Sequence, residues 1–184
     1  WPLLVAGQAG SRPEEDSPAA GAPPPAGEKP KKPLVVLPTY NEGENIEALV
    51  QEILVVDHSV HILVVDDNSP DGTAEMVRAM SDNTDRVKLH KRHGKLGLGT
   101  AYMAGFKYGL ENRYDAVVTM DADFSHDPKY IPAILNRAAD FDVVIGSRYI
   151  PGGGIENWPW IRRMLSRGAN GLTRVMLRLP VHDC

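Results

Sequence analysis

Ala116-Val-Val-Thr-Met120-Asp121-Ala-Asp123-Phe-Ser-His-Asp127-Pro128 is an apolar run that closes on two aspartates and then meets a proline. The pattern predicts a buried strand, a polar turn and a helix opening on Pro128. In an extended chain residues i and i+2 point to the same side, so Asp121 and Asp123 project together. Two hard carboxylate donors suit Mg²⁺ or Mn²⁺ and leave coordination positions for phosphate oxygens. Aspartate also serves ordinary turns at strand ends, so the pair alone does not decide the matter.

The same unit recurs on both sides. Strands are expected at Leu34–Leu37, His61–Val65, Arg86–His90, Ala116–Met120 and Asp142–Ile145. Between them lie helical patterns. Glu42–Val55 carries Ile46, Leu49, Val50, Ile53 and Leu54 at helical spacing. Asp71–Met80 can be capped by Ser69 or Asp71. Leu98–Leu110 offers Ala101, Met103, Ala104 and Phe106 for packing, and Pro128–Ala138 follows. Continuous apolar strands alternating with helices imply an α/β fold with a mostly parallel sheet covered on both faces. Polar or glycine-rich clusters follow the strand ends: Pro38-Thr-Tyr-Asn-Glu42, Asp66-Asp-Asn-Ser-Pro-Asp71, Asp121-Ala-Asp123 and Gly146-Ser-Arg-Tyr149. Ligands of open α/β sheets bind outside the carboxyl ends of the strands, where all four clusters would meet.

The chain of 184 residues is long enough for one domain with a sizeable core. Its net charge of −4 excludes a generally basic nucleic-acid binder. One cysteine, Cys184, permits no internal disulfide framework and fits a reducing compartment. No run of about 18 apolar residues suggests a membrane-spanning helix, and no leader pattern is visible at the start. Residues 1–32 are rich in Pro, Ala and Gly and read as a disordered linker, with a proline-binding docking motif as the alternative. Both ends look cut, so residues 33–184 are expected to be a catalytic domain incomplete at its C-terminal side.

Each cluster has a chemical reading and a plainer one. Tyr40 can stack a base and Glu42 can accept from base or ribose; a turn capped by Thr39 or Asn41 is the alternative. Adjacent Asp66 and Asp67 repel each other, and either a ribose or base donor or a local turn through Asn68 and Ser69 would compensate. Gly94-Lys-Leu-Gly97-Leu-Gly99 fits neither a phosphate-loop pattern nor the dinucleotide fingerprint, which disfavours a dehydrogenase. Its backbone can still approach a ligand closely; a tight turn is the alternative. Pro151-Gly-Gly-Gly154 can hinge or close over a site. Ile161–Pro180 holds five arginines and no acid on an amphipathic pattern. It suits an anionic membrane surface, a phosphorylated ligand or a solvated helix face.

These segments, in this order, resemble the dolichol- and polyprenol-phosphate mannosyltransferases of the family 2 glycosyltransferases. The resemblance runs from Pro33 to Cys184 and rests on Pro38–Glu42, Val65–Thr73, Gly97–Ala101, Met120–Pro128, Val144–Tyr149, Glu156–Trp158 and Arg162-Arg163. It implies a GT-A fold, GDP-mannose as donor and a polyprenyl or dolichyl monophosphate as acceptor. By matching position, Pro38, Tyr40, Glu42 and Asp67 would bind the nucleotide. Asp121 and Asp123 would hold Mg²⁺ or Mn²⁺ and act in catalysis with Arg148 and Arg162. Arg148, Arg162 and Ser166 would lie at the acceptor and phosphates. The family's arginine-bearing continuation beyond Asp183-Cys184 is absent here, so the chain is expected to serve the donor half of the reaction better than the acceptor half. The resemblance also implies work at the cytoplasmic face of a membrane, held there peripherally or through an anchoring domain or partner. A UDP-sugar-dependent relative and a non-catalytic GDP-sugar-binding module are the rival expectations.

Overall fold

The computed structural model describes residues 4–6 and 27–146. Its sheet has six strands in the order β4-β3-β2-β5-β1-β6. These are β1 (Leu4–Ala6), β2 (Pro33–Thr39), β3 (His61–Asp66), β4 (Val87–Lys91), β5 (Ala116–Thr119) and β6 (Val143–Ile145). The helices are α1 (Ile46–Val56), α2 (Thr73–Asn83), α3 (Leu98–Glu111) and α4 (Ile131–Arg137). Leu4–Val144 form one compact unit; Ile145 and Gly146 are the described residues of a second.

β2 pairs in parallel with β3 on one side and with β5 on the other, and β3 pairs in parallel with β4. This is the mostly parallel α/β sheet expected from the alternating pattern. The chain steps from β2 to β3 to β4 in one direction, which with right-handed crossovers puts α1 and α2 on one face. From β4 it returns across β3 and β2 to β5, which puts α3 on the other. The strand order therefore reverses between β2 and β5, and the carboxyl ends of those two strands frame the crevice such sheets use for ligands.

Alternation along the strands sorts the core. Leu34, Val36, Leu63, Val65 and Val117 form one buried cluster with Ala101 of α3. Val35, Leu37, Ile62, Val64 and Val118 are equally buried and point to the opposite face. There Ile46, Leu49, Val50 and Ile53 form the buried stripe of α1.

Helix α3 meets the sheet through small residues. Its buried positions are Ala101, Gly105 and Gly109, one turn apart. A Cβ added at Gly105 would lie 2.5 Å from Val36 Cγ1, and one at Gly109 would lie 2.9 Å from Val117 Cγ2. Met103, expected to pack, is 66% exposed. An apolar count overlooks a face whose function is to let the helix backbone approach the valine side chains of the sheet.

The expected linker over residues 1–32 is corrected at two places. Leu4–Ala6 form β1, antiparallel to β5, with Val5 opposite Val118. β5 presents a second edge of unpaired N–H and C=O groups, which a short extended run satisfies. Residues 27–32 are tied to the domain as well. The backbone N–H groups of Lys31 and Lys32 donate to Asp115, and Lys29 pairs with Asp57 at 2.6 Å. Burial would raise the Asp57 carboxyl, but Lys29 and Ser59 outweigh it and hold the group below the usual carboxylate range.

The expected helix over Pro128–Ala138 divides into a 3₁₀ turn at Pro128–Tyr130 and α4. Pro132 has no N–H to bond back to Pro128, so the α-pattern starts only beyond the tighter turn. Asp127 caps that turn, accepting from Lys129 N at 3.0 Å.

Candidate functional site

Three loops leave the carboxyl edge of the sheet, and each turns through a left-handed residue. Asn41 follows β2 with φ 61°, Asn68 follows β3 with φ 60°, and Phe124 follows β5 with φ 58°. Asparagine tolerates this region, whereas a bulky aromatic there is strained by roughly 1–2 kcal/mol. The strained residue sits directly after the acidic pair, a place where local strain commonly accompanies function. The reversal brings Ser125 N back to donate to Asp123 Oδ1 at 2.9 Å.

The first two loops brace each other. Asp66, fully buried, accepts from Thr39 Oγ1 at 3.0 Å and from both the backbone N–H and hydroxyl of Ser69. Asn41 N donates to Ser69 Oγ, and Glu42 N donates to Thr73 Oγ1. Asp71 accepts from Gly43 N at 2.9 Å and from Thr73 N and Oγ1. It therefore serves the start of α2 from one residue outside the cap position. Slight burial would raise the Asp71 carboxyl, but these hydrogen bonds dominate and hold it below the usual range.

Asp67 resolves the repulsion expected of the acid pair in a different way. Its carboxylate accepts from the Arg92 guanidinium, which is itself buried at 8% exposure, and from Leu96 N at 3.1 Å. Arg92 also donates to Thr100 Oγ1 at 2.6 Å and to Gly97 O at 3.2 Å. The glycine loop is thus clamped onto the end of β3. Lys95, within that loop, lies 4.1 Å above the Tyr40 ring. Asp66 uses the local turn and Asp67 uses Arg92.

The acidic pair after β5 is less encumbered. Asp121 accepts from the Tyr102 hydroxyl of α3 at 2.8 Å, and its backbone N–H donates to His126 Nδ1 at 3.2 Å. Partial burial would raise the Asp123 carboxyl, but the Ser125 hydrogen bonds and nearby His126 hold it below the usual carboxylate range. Tyr102 is pushed up by burial first and then by the charge and hydrogen bond of Asp121, with Asp123 adding to the shift. One phenol therefore senses both carboxylates.

Residues 34–184 match Glycosyl transferase family 2. The chain belongs to that family. This family 2 chain is 44% identical over 175 residues to the polyprenol monophosphomannose synthase of Mycolicibacterium smegmatis, covering 94% of itself and 66% of that protein. It is 42% identical over 150 residues to the undecaprenyl-phosphate mannosyltransferase of Micrococcus luteus, covering 82% of itself and 62% of that protein. The chain thus spans about two thirds of the length of these relatives. A mannosyltransferase from Pyrobaculum calidifontis in complex with GDP-Man and Mn²⁺ overlaps 58% of this chain and 31% of its own, at 27% identity and a TM-score of 0.44.

Within this family 2 domain, Pro38 lies at the carboxyl end of β2, Tyr40 and Glu42 follow that strand, Asp67 follows β3, and Asp121 and Asp123 follow β5, all on one sheet edge. Tyr40 is 38% exposed, and Glu42 accepts from Asn45 Nδ2 at 3.1 Å. Arg148, Arg162 and Ser166 lie outside the described residues, as do the glycine-rich 151–154 stretch and the basic 161–180 segment. Sequence reasoning passed over Arg92 and Tyr102. Arg92 follows β4 directly, so the strand-end rule that flagged the other clusters reaches it too. Tyr102 carried no comparable signal, because its partner is 19 residues away.

The acidic pair fits a hard divalent cation. Its donors are carboxylate oxygens, Tyr102 takes one oxygen of Asp121, and Ser125 takes one of Asp123. No group of three or more His, Cys, Asp or Glu side chains able to hold a metal occurs among the described residues.

Proposed function

We propose that this family 2 chain transfers mannose from GDP-mannose to a polyprenyl or dolichyl monophosphate, inverting the anomeric centre and using Mg²⁺ or Mn²⁺. The observation that carries the reading is the placement of Tyr40 after β2 and of Asp121 and Asp123 after β5, two strands that pair in parallel at the switch point, in a chain whose 44%-identical relative is a polyprenol monophosphomannose synthase. Tyr40 offers a ring face for the base, with Pro38 and Glu42 beside it. Asp67 holds about one acceptor site in reserve. A carboxylate has roughly four lone-pair sites, and Arg92 and Leu96 occupy three. Asp121 and Asp123 would hold the ion, which when bound neutralises diphosphate charge.

The acceptor removes one catalytic requirement. A phosphate monoester has a second pKa near ~6 and is largely dianionic at neutral pH. It needs no general base, so the chain's tasks are alignment and stabilisation of the leaving nucleotide. Arg148, Arg162 and Ser166 carry the phosphate-holding part of the proposal. No helix among the described residues is long and apolar enough to cross a membrane. The proposed site of action is the cytoplasmic face of a membrane, where the lipid acceptor is presented and the basic 161–180 segment meets anionic headgroups.

The test pairs binding with turnover in the full-length protein. With Mn²⁺ present, GDP at about 100 times its dissociation constant should stabilise the protein by ~2.7 kcal/mol, and UDP at the same concentration should leave the melting temperature unchanged. GDP-mannose and a short polyprenyl phosphate should give a β-linked mannosyl phosphate. Protection by UDP instead of GDP would replace the donor assignment. GDP binding with no transfer would favour a non-catalytic module.

A further inference from the structure

Asp121 is held by a side chain from a different element. Tyr102 reaches it from the second turn of α3, and the hydroxyl donates to Oδ1 at 2.8 Å. An ionised carboxylate can only accept, so the direction of this bond is set. It takes Oδ1, and among the described residues no side chain or backbone group bonds Oδ2. A carboxylate held by one hydrogen bond stops rotating about its terminal torsion and presents its remaining oxygen in one direction.

The support behind Tyr102 is rigid. Its ring packs against the buried cluster of Leu34, Val36, Leu63, Val65, Ala101 and Val117. Two residues earlier, Thr100 accepts from Arg92, whose guanidinium is locked to Asp67. Three residues later, Gly105 seats the helix directly on Val36. Helix α3 is therefore fixed on both sides of Tyr102 and cannot slide along the sheet without breaking one of those contacts.

We propose that Tyr102 is a positioning residue for the metal-holding carboxylate of Asp121. Its hydroxyl orients Asp121, and α3, clamped through Arg92 and Gly105, keeps that hydroxyl in place. This rests on the assignment of Asp121 and Asp123 as the metal-binding acids. It gives α3 a role at both halves of the site, since its Thr100 accepts from the Arg92 that grips the nucleotide-side Asp67, while its Tyr102 grips the metal-side Asp121.

The experiment measures metal binding apart from turnover. Mn²⁺ is titrated into the full-length protein saturated with GDP and followed by the loss of free-ion EPR signal. Three proteins are compared: wild type, Tyr102→Phe, and Tyr114→Phe as control. Tyr114 is a partly buried tyrosine whose hydroxyl pairs with His61 Nδ1 at the amino end of β3. Tyr102→Phe should weaken Mn²⁺ binding roughly 10-fold, the low end of what losing an outer hydrogen-bond partner costs a metal site. Its GDP affinity in EDTA should stay within twofold of wild type, and Tyr114→Phe should bind Mn²⁺ as wild type does. Mn²⁺ affinity within twofold of wild type in Tyr102→Phe overturns the proposal, as does an equal loss of GDP affinity in EDTA. A wild-type protein that binds GDP but no Mn²⁺ removes the metal assignment itself, a result distinct from both.

A second measurement covers a Phe variant that does not fold. Mn²⁺ added to the wild-type GDP complex should shift a near-ultraviolet tyrosine band with the same midpoint as the EPR titration. An unchanged tyrosine spectrum overturns the proposal.

Discussion

The acids after β3 and the acids after β5 occupy the same sheet edge and are used in opposite ways. Asp66, Asp67 and Asp71 each accept two or more hydrogen bonds from the protein and bind loop to loop. Among the described residues, Asp121 accepts from Tyr102 alone and Asp123 from Ser125 alone. The first group makes the edge rigid, and the second keeps an oxygen available at it. Carboxylates close in sequence to a strand end are thus not equivalent candidates for chemistry. What separates them is how many of their lone pairs the fold has already taken.

The sharpest way to break the comparison is on the side with oxygen to spare. Asp123→Ala should lower metal-dependent mannosyl transfer by roughly 10²–10³-fold, assayed in detergent with polyprenyl phosphate. Because Asp123 is exposed, its urea-unfolding free energy should stay within about 0.5 kcal/mol of wild type. Full activity would remove Asp123 from the site. Asp66→Ala should do the reverse, leaving Ser69 and Thr39 donors buried and unanswered. The expected loss is about 2–4 kcal/mol of stability in urea titrations, and a stable variant would show that the bracing of the two loops does not depend on this acid.

The smallest effect sharpens the comparison through pH. The Asp71 carboxyl is depressed in the fold, so its stabilising contribution is present above the unfolded value of about 3.9. It is lost as pH falls through the lower folded value. Asp71→Asn should be less stable than wild type at pH 7 by under about 1 kcal/mol, since the group is solvent-exposed. That gap should close as the pH drops below about 4. A gap that holds constant to pH 3 in thermal melts would mean that the charge of Asp71 contributes nothing.

The alternation of strand and helix was legible because apolar runs ending in Pro38, Asp66 and Met120-Asp121 carry their own punctuation. The sharing of one edge by Tyr40, Asp67 and Asp121 followed from parallel topology alone. Features that depend on a distant partner were not legible. Arg92 means little until β4 lies beside β3 and Asp67 is within reach. Tyr102 shows its role only once α3 crosses back over the sheet. Ala101, Ala104 and Phe106 pack as expected, but Met103 faces out, and the seating glycines Gly105 and Gly109 were missed because apolar side chains were counted. Leu4–Ala6 hid within a composition that otherwise describes a linker, since three residues suffice to pair with an open strand edge.

The glycine contact of α3 also bears on how the protein reaches its working form. Glycine costs a helix up to about 1 kcal/mol relative to alanine, and α3 contains Gly99, Gly105 and Gly109 among its 14 residues. Its intrinsic helicity is therefore low, and the sheet surface supplies most of its stability. β2, β3 and β5 must be paired before α3 has a surface to dock on. Arg92's grip on Thr100 and Tyr102's grip on Asp121 form only in that docking step. The two contacts that α3 brings to the site are consequently secured by the sheet it sits on and not by its own helicity.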